Sequence, residues 1–185
     1  MPIEIWVDAD SVPTNLRQII LRAAARLGCR CFFVADRELA DVKQFIAENT
    51  YSLRQKARDE GQFDVEVIKS IKSRIRMEIV KTGENSADDF IVENAPEASL
   101  CITHDIPLAA RLLEKGCTVI DDRGGRYTTD DIRKKLADRL VNQKLRSWGI
   151  YAEQQGKIDS SRQKRFADML DTTIAHMVSE TKEEQ

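Results

Sequence analysis

Histidine is nearly missing from this chain. His104 and His176 are the only two in 185 residues, which leaves little material for chemistry built on imidazole. Long apolar runs are absent as well: none approaches the roughly 18 residues needed to cross a bilayer. The N-terminus has no basic stretch followed by an apolar segment and a small-residue cleavage site, so a cytoplasmic protein with no membrane partner is expected. Net charge is almost absent, with 29 Lys and Arg against 31 Asp and Glu giving −2. Global attraction to nucleic acid or anionic lipid is thereby excluded, and any phosphate binding must come from a local patch. Four cysteines occur, Cys29, Cys31, Cys101 and Cys117. A Cys-x-Cys pair with two distant partners does not match zinc-ribbon spacing, and all four fall in or beside apolar segments, so they read as reduced core residues.

What is present is ample core material, 42% hydrophobic residues, arranged as strands alternating with helices. One domain is expected, with a core over about 1–127, a helical extension over about 128–178 and a flexible tail over 179–185. Ile3 to Val7 reads as a strand, Pro13 to Leu27 as an amphipathic helix stopped by Gly28, and Cys29 to Ala35 as a buried second strand. This βαβ unit implies a parallel sheet. From Arg37 to Ile75 the spacing of Leu39, Val42, Phe45, Ile46 and Leu53 predicts one long helix or a helical hairpin interrupted at Gly61. Met77–Val80, Ala98–Thr103 and Cys117–Ile120 are expected strands, and Ala87–Asn94 and Ile106–Lys115 expected helices. Two further helices come next, one reaching Ser147 and one from Ser160 to Val178, linked by a loop at Gly149–Gly156. The apolar stripe Phe166, Met169, Leu170, Ile174 and Met177 must cover the body or a second subunit in a homodimer.

Acids collect where these elements meet. Asp8 and Asp10 close the first strand, Asp105 the fourth, Asp121 and Asp122 the fifth, and Asp88 and Asp89 open the helix after the third. Acids in such loops commonly cap helices and shape turns. In a parallel sheet, however, all these positions converge on the carboxyl edge, where α/β proteins place ligands. Gathered carboxylates repel one another unless amides or a hard cation such as Mg²⁺ or Mn²⁺ compensate them. A cation there activates water and neutralises phosphate charge without a Ser, Cys or His nucleophile.

The segments Ile5-Trp6-Val7-Asp8-Ala9-Asp10, Ser86-Ala87-Asp88-Asp89-Phe90-Ile91, Ile102-Thr103-His104-Asp105-Ile106-Pro107-Leu108-Ala109 and Arg123-Gly124-Gly125-Arg126-Tyr127-Thr128 together resemble the YaiI/YqxD family of bacterial proteins. That family has no established activity and is similar in turn to PIN-type nucleases. The resemblance implies a three-layer α/β/α domain with a sheet of four or five mainly parallel strands. It implies Asp8, Asp88 and Asp105 as catalytic and metal-binding residues, supported by Asp10, Asp89 and Thr103, and nucleic acid, RNA before DNA, as partner. Asn85 stands where relatives usually carry an acid, and Asp121-Asp122 replaces their Asn-Pro. PIN nucleases also place an acid on the helix after the second strand, which leaves Asp41 and Glu48 open as candidates.

Two basic features bear on the partner. Arg123 and Arg126 flank two glycines whose amides can approach a phosphate. Lys69 to Arg76 carries four positive charges without an acid, suited to a nucleic-acid backbone near the acids or to a solvated helix face. Two other functions fit parts of the pattern. Asp8-Ala9-Asp10-Ser11-Val12 resembles the opening of haloacid-dehalogenase phosphatases, with Asp8 as nucleophile. A PIN-like module that binds RNA or protein without cutting is the third. His104 is placed to pack, hydrogen-bond or touch substrate; His176 reads as structural.

Overall fold

A computed structural model of the chain describes residues 3–81, 83, 86–147 and 160–183. Five strands, β1 (Glu4–Asp8), β2 (Arg30–Ala35), β3 (Ile75–Ile79), β4 (Leu100–Ile102) and β5 (Thr118–Ile120), form one sheet in the order β3-β2-β1-β4-β5. Every pairing is parallel. The chain winds outward from β1 in one direction through β2 and β3, then returns to the other side of β1 for β4 and β5. The reversal leaves a switch point between the carboxyl ends of β1 and β4, the crevice that open parallel sheets offer to ligands.

Helices cover both faces, as parallel strands require. They are α1 (Thr14–Leu27), α2 (Ala40–Asp59), α3 (Val65–Ser70), α4 (Ser86–Asn94), α5 (Ile106–Glu114), α6 (Thr129–Ser147) and α7 (Ser160–Glu183). One core joins Ile5, Val7, Leu16, Ile20, Phe33 and Phe166 under α1, α2 and α7; the other joins Trp6, Val34, Ile91, Leu108 and Val119 under α4, α5 and α6. Alternation along β1 sends Ile5 and Val7 to one core and Trp6 to the other, where its ring stacks on Phe32 at 4.3 Å. Pro13 fixes the entry to α1, and Gly28 ends it at φ 65 with its N–H bonded to Ala24.

Several expectations shift. The segment from Arg37 to Ile75 is the hairpin alternative, two unequal helices broken at Gly61 with φ 90. β3 begins at Ile75, two residues before the expected Met77, because Cys31 and Ile75 pair across the ladder. The run Lys69–Arg76 is therefore no helix face: it crosses the end of α3, a loop and the start of β3. Its loop lies at the amino edge of the sheet, where Arg74 bonds the carbonyl of Gly28 at 3.0 Å, at the opposite end of the strands from the acids. α7 runs five residues past Val178, into the segment expected as a flexible tail. Its stripe does bury against the body, with Phe166, Leu170 and Ile174 at most 1% exposed. The 149–156 linking loop and Asn85 lie outside the described residues.

Candidate functional site

Asp8 ends β1 buried, 6% exposed. Burial raises its pKa, and hydrogen bonds from Thr103 and Ser11 partly restore the ionised form. The Thr103 hydroxyl donates to Asp8 Oδ2 at 2.7 Å and accepts the backbone N–H of Asp105 at 2.9 Å. One buried threonine thus ties the ends of β1 and β4 together. Asp105 is the N-cap of α5, its Oδ1 accepting the Leu108 N–H at 3.0 Å.

Asp88 arrives from α4, whose first turn points at the switch point. Its pKa is pushed up to about 6, first by burial and then by the charges of Asp8 and Asp105, with Asp89 adding to them and Arg111 opposing. The set Asp8, Asp88 and Asp105 therefore comes within one electrostatic neighbourhood although its ends lie 97 positions apart in sequence. Among the described residues no three His, Cys, Asp or Glu side chains are drawn tightly enough together to form a ready metal cage. The acids make an open cluster instead.

The remaining predicted residues take different positions. Asp10 turns toward β2, where Oδ2 accepts the Asp36 N–H at 2.9 Å and Oδ1 faces Arg37 at 3.3 Å. Its charge still raises Asp8 slightly. Asp89 points outward to Arg111 at 2.8 Å. Asp41 is committed to Arg17, which is buried and also bonds the carbonyl of Val12 at 2.7 Å, so this pair braces the β1–α1 loop under the site. Glu48 accepts Gln44 on α2. Arg123 and Arg126 are exposed on the loop after β5. His176 faces Glu180 on the outside of α7. All four cysteines are buried and free.

Asp121 and Asp122, the acids of the fifth strand end, shape the loop. Asp121 Oδ1 accepts the N–H groups of Arg123 at 2.9 Å and Gly125 at 2.6 Å. Asp122, 3% exposed, is clamped by Arg162 of α7 and by Nδ1 of His104 at 2.9 Å. Burial raises its pKa, but the His104 hydrogen bond and charge, Arg162 and Arg123 outweigh it, and the net shift is downward. Sequence reasoning missed Arg162, whose partner lies 40 residues away, and Tyr127. Burial first, then Asp121 and Asp122, push the Tyr127 hydroxyl up to about 12, with Asp105 contributing. A cavity of about 450 Å³ lies along β3 against α2, and none of the predicted site residues lines it.

The amino-acid sequence has matches among known proteins. The family described as "Uncharacterized BCR, YaiI/YqxD family" matches residues 62–176. The chain belongs to the YaiI/YqxD family. A "UPF0178 protein" of Trichlorobacter lovleyi is 32% identical over 97% of this chain and 99% of its own length. Another, of Citrifermentans bemidjiense, is 32% identical over 96% and 97%. A third, of Shewanella sp. strain MR-4, is 33% identical over 94% and 97%. No solved structure matches. Similarity to these YaiI/YqxD relatives covers nearly the whole chain but brings no activity with it, since the family description itself reads uncharacterised. Among the described residues no helix is long and apolar enough to cross a membrane.

Proposed function

We propose that this YaiI/YqxD protein is a nuclease that hydrolyses nucleic-acid phosphodiesters, RNA before DNA, with Mg²⁺ or Mn²⁺ as cofactor. The observation that carries the reading is the convergence of Asp8, Asp88 and Asp105 at the β1/β4 switch point, where burial first and then the charges of Asp8 and Asp105 raise Asp88 to about 6. The donor set is all carboxylate oxygen, the chemistry of hard cations. Mg²⁺ keeps several waters and is commonly held through one or two carboxylates, so it needs no closed cage. Asp8, Asp88 and Asp105 would hold the ion, which when bound supplies water activation and charge neutralisation.

The chain's own residues do the rest. Thr103 fixes the Asp8 carboxylate, and the Arg17–Asp41 pair keeps the loop beyond it from moving. Asp10 and Asp89 assist at a distance, since each raises the proton affinity of the site acid beside it. Arg123 and Arg126 grip the phosphate. The phosphatase reading has less support: the carboxylate it would use as general acid, Asp10, is engaged with Asp36 and Arg37. Incubation of labelled single-stranded RNA and DNA with the wild type and with Asp8→Asn tests the proposal. Mn²⁺-dependent cleavage by the wild type alone, abolished by chelator, supports it. Equal products from the variant would sink it, and binding without any cleavage would leave the non-cutting module.

A further inference from the structure

The near-neutral total conceals a segregation of charge. Between Arg123 and Arg165 the sequence carries twelve Lys and Arg against five Asp and Glu, a net of +7; with a total of −2, the remainder carries −9. The described parts of this segment that meet at the end of β5 are the loop after it, the opening turn of α7, and α6 through Lys135. Arg162 bonds the backbone and side chain of Asp122. Gly124, at φ 81, sits so close to α7 that a Cβ would meet the Arg165 carbonyl at 2.7 Å. Lys135 Nζ lies 4.5 Å above the Tyr127 ring. Around this junction Arg123, Arg126, Arg133, Lys134, Lys164 and Arg165 are exposed.

We infer that this strip is the docking surface for a single nucleic-acid strand, whose phosphates run along it and deliver the next linkage to the acidic edge. Polyanions are attracted by Lys and Arg through counterion release and repelled by a −9 body. The strip therefore fixes where a strand lies. Two strand spacings separate β1 from β5, about 10 Å, so one strand lying on the strip reaches the acidic edge. A duplex would bring its second row of phosphates against the acidic body, which disfavours it. The other basic run cannot serve the same site. It lies at the amino edge of the sheet, where Arg74 bonds the Gly28 carbonyl.

The inference rests on the nuclease reading only for the cleavage step after docking, so the test is binding in chelator. Anisotropy of a labelled single-stranded RNA is measured between about 50 and 200 mM salt. The full-length wild type is compared with Arg126→Gln/Arg133→Gln/Lys134→Gln and with Lys69→Gln/Lys72→Gln, all checked for native thermal midpoints. Removing one Lys or Arg from a phosphate lowers the slope of log affinity against log salt by roughly 0.7. The triple variant should give up about two units of slope and at least about tenfold in affinity at the lower salt, while the Lys69/Lys72 variant keeps both. A wild-type slope in the triple variant overturns the inference, as does tighter binding of duplex than of single strand at the lower salt. Failure here leaves Mn²⁺-dependent cleavage standing, whereas strip-dependent binding without cleavage would remove the nuclease reading alone.

Discussion

At the scale of single residues, Thr103 is the joint of the site, because one hydroxyl serves the carboxylate of Asp8 and the amide of Asp105. Thr103→Val keeps the volume and removes both bonds, leaving a buried carboxylate short of a donor. It should cost about 1–3 kcal/mol in urea denaturation; a change under a few tenths would show the bonds to be incidental. Asp88 gives a signed pH dependence. Its folded pKa, about 6, lies above the ordinary value of 3.8, so the folded state holds the extra proton. The stability associated with this group is full below about pH 4 and falls as pH rises through 6. Asp88→Asn should therefore be more stable than the wild type at pH 7, by roughly 1–2 kcal/mol once screening at a half-exposed carboxylate is allowed for, with the difference vanishing near pH 4. Thermal melts across that range check it, and an unchanged difference at both ends would refute the raised pKa of Asp88. The acids at strand ends and helix starts were legible as a local pattern, but it marked Asp8, Asp10, Asp88, Asp89, Asp105, Asp121 and Asp122 alike, and only the family resemblance singled out Asp8, Asp88 and Asp105. Arg162 and Tyr127 were not legible, since only the packing of α7 and α6 brings them to the edge.

At the scale of elements, α7 behaves as a strap that starts at the site and runs down α1, where Arg26 meets Asp171 at 2.7 Å. Its apolar stripe supplies the adhesion and the Asp122–Arg162 pair sets its register. Arg162→Ala would strand a buried carboxylate, a loss of about 3–5 kcal/mol for a broken buried pair. Amide exchange should accelerate first in the opening turn of α7 and in the 121–126 loop; uniform acceleration would contradict a local strap. Since Asp122 is held below its ordinary value, the strap's contribution is full above about pH 4 and is lost as pH falls through that depressed pKa. The helices with clear 3.6 periodicity and Gly stops were read closely from sequence, α1 and α5 within about a residue. β3 was displaced because its amphipathic pattern is weak on an edge strand, and Lys69–Arg76 was misplaced because a charge run carries no information about which edge of a sheet it will meet.

At the scale of the whole molecule, strand order assembles the acidic edge more than any motif does. Only the reversal between β1 and β4 makes Asp8 and Asp105 neighbours and lets α4 deliver Asp88 beside them. Alternating strands and helices made the parallel sheet legible, and the same topology sorts the two basic segments to opposite edges. If the carboxyl edge is a divalent-cation site, calorimetric titration of Mn²⁺ and Mg²⁺ into the wild type and into Asp8→Asn will register it without any assumption about substrate. Saturable binding by the wild type near pH 7, weakened below pH 6 as Asp88 protonates and lost in the variant, is the expected result. Equal binding by the two proteins, or none by either into the millimolar range, would contradict a cation site at this edge.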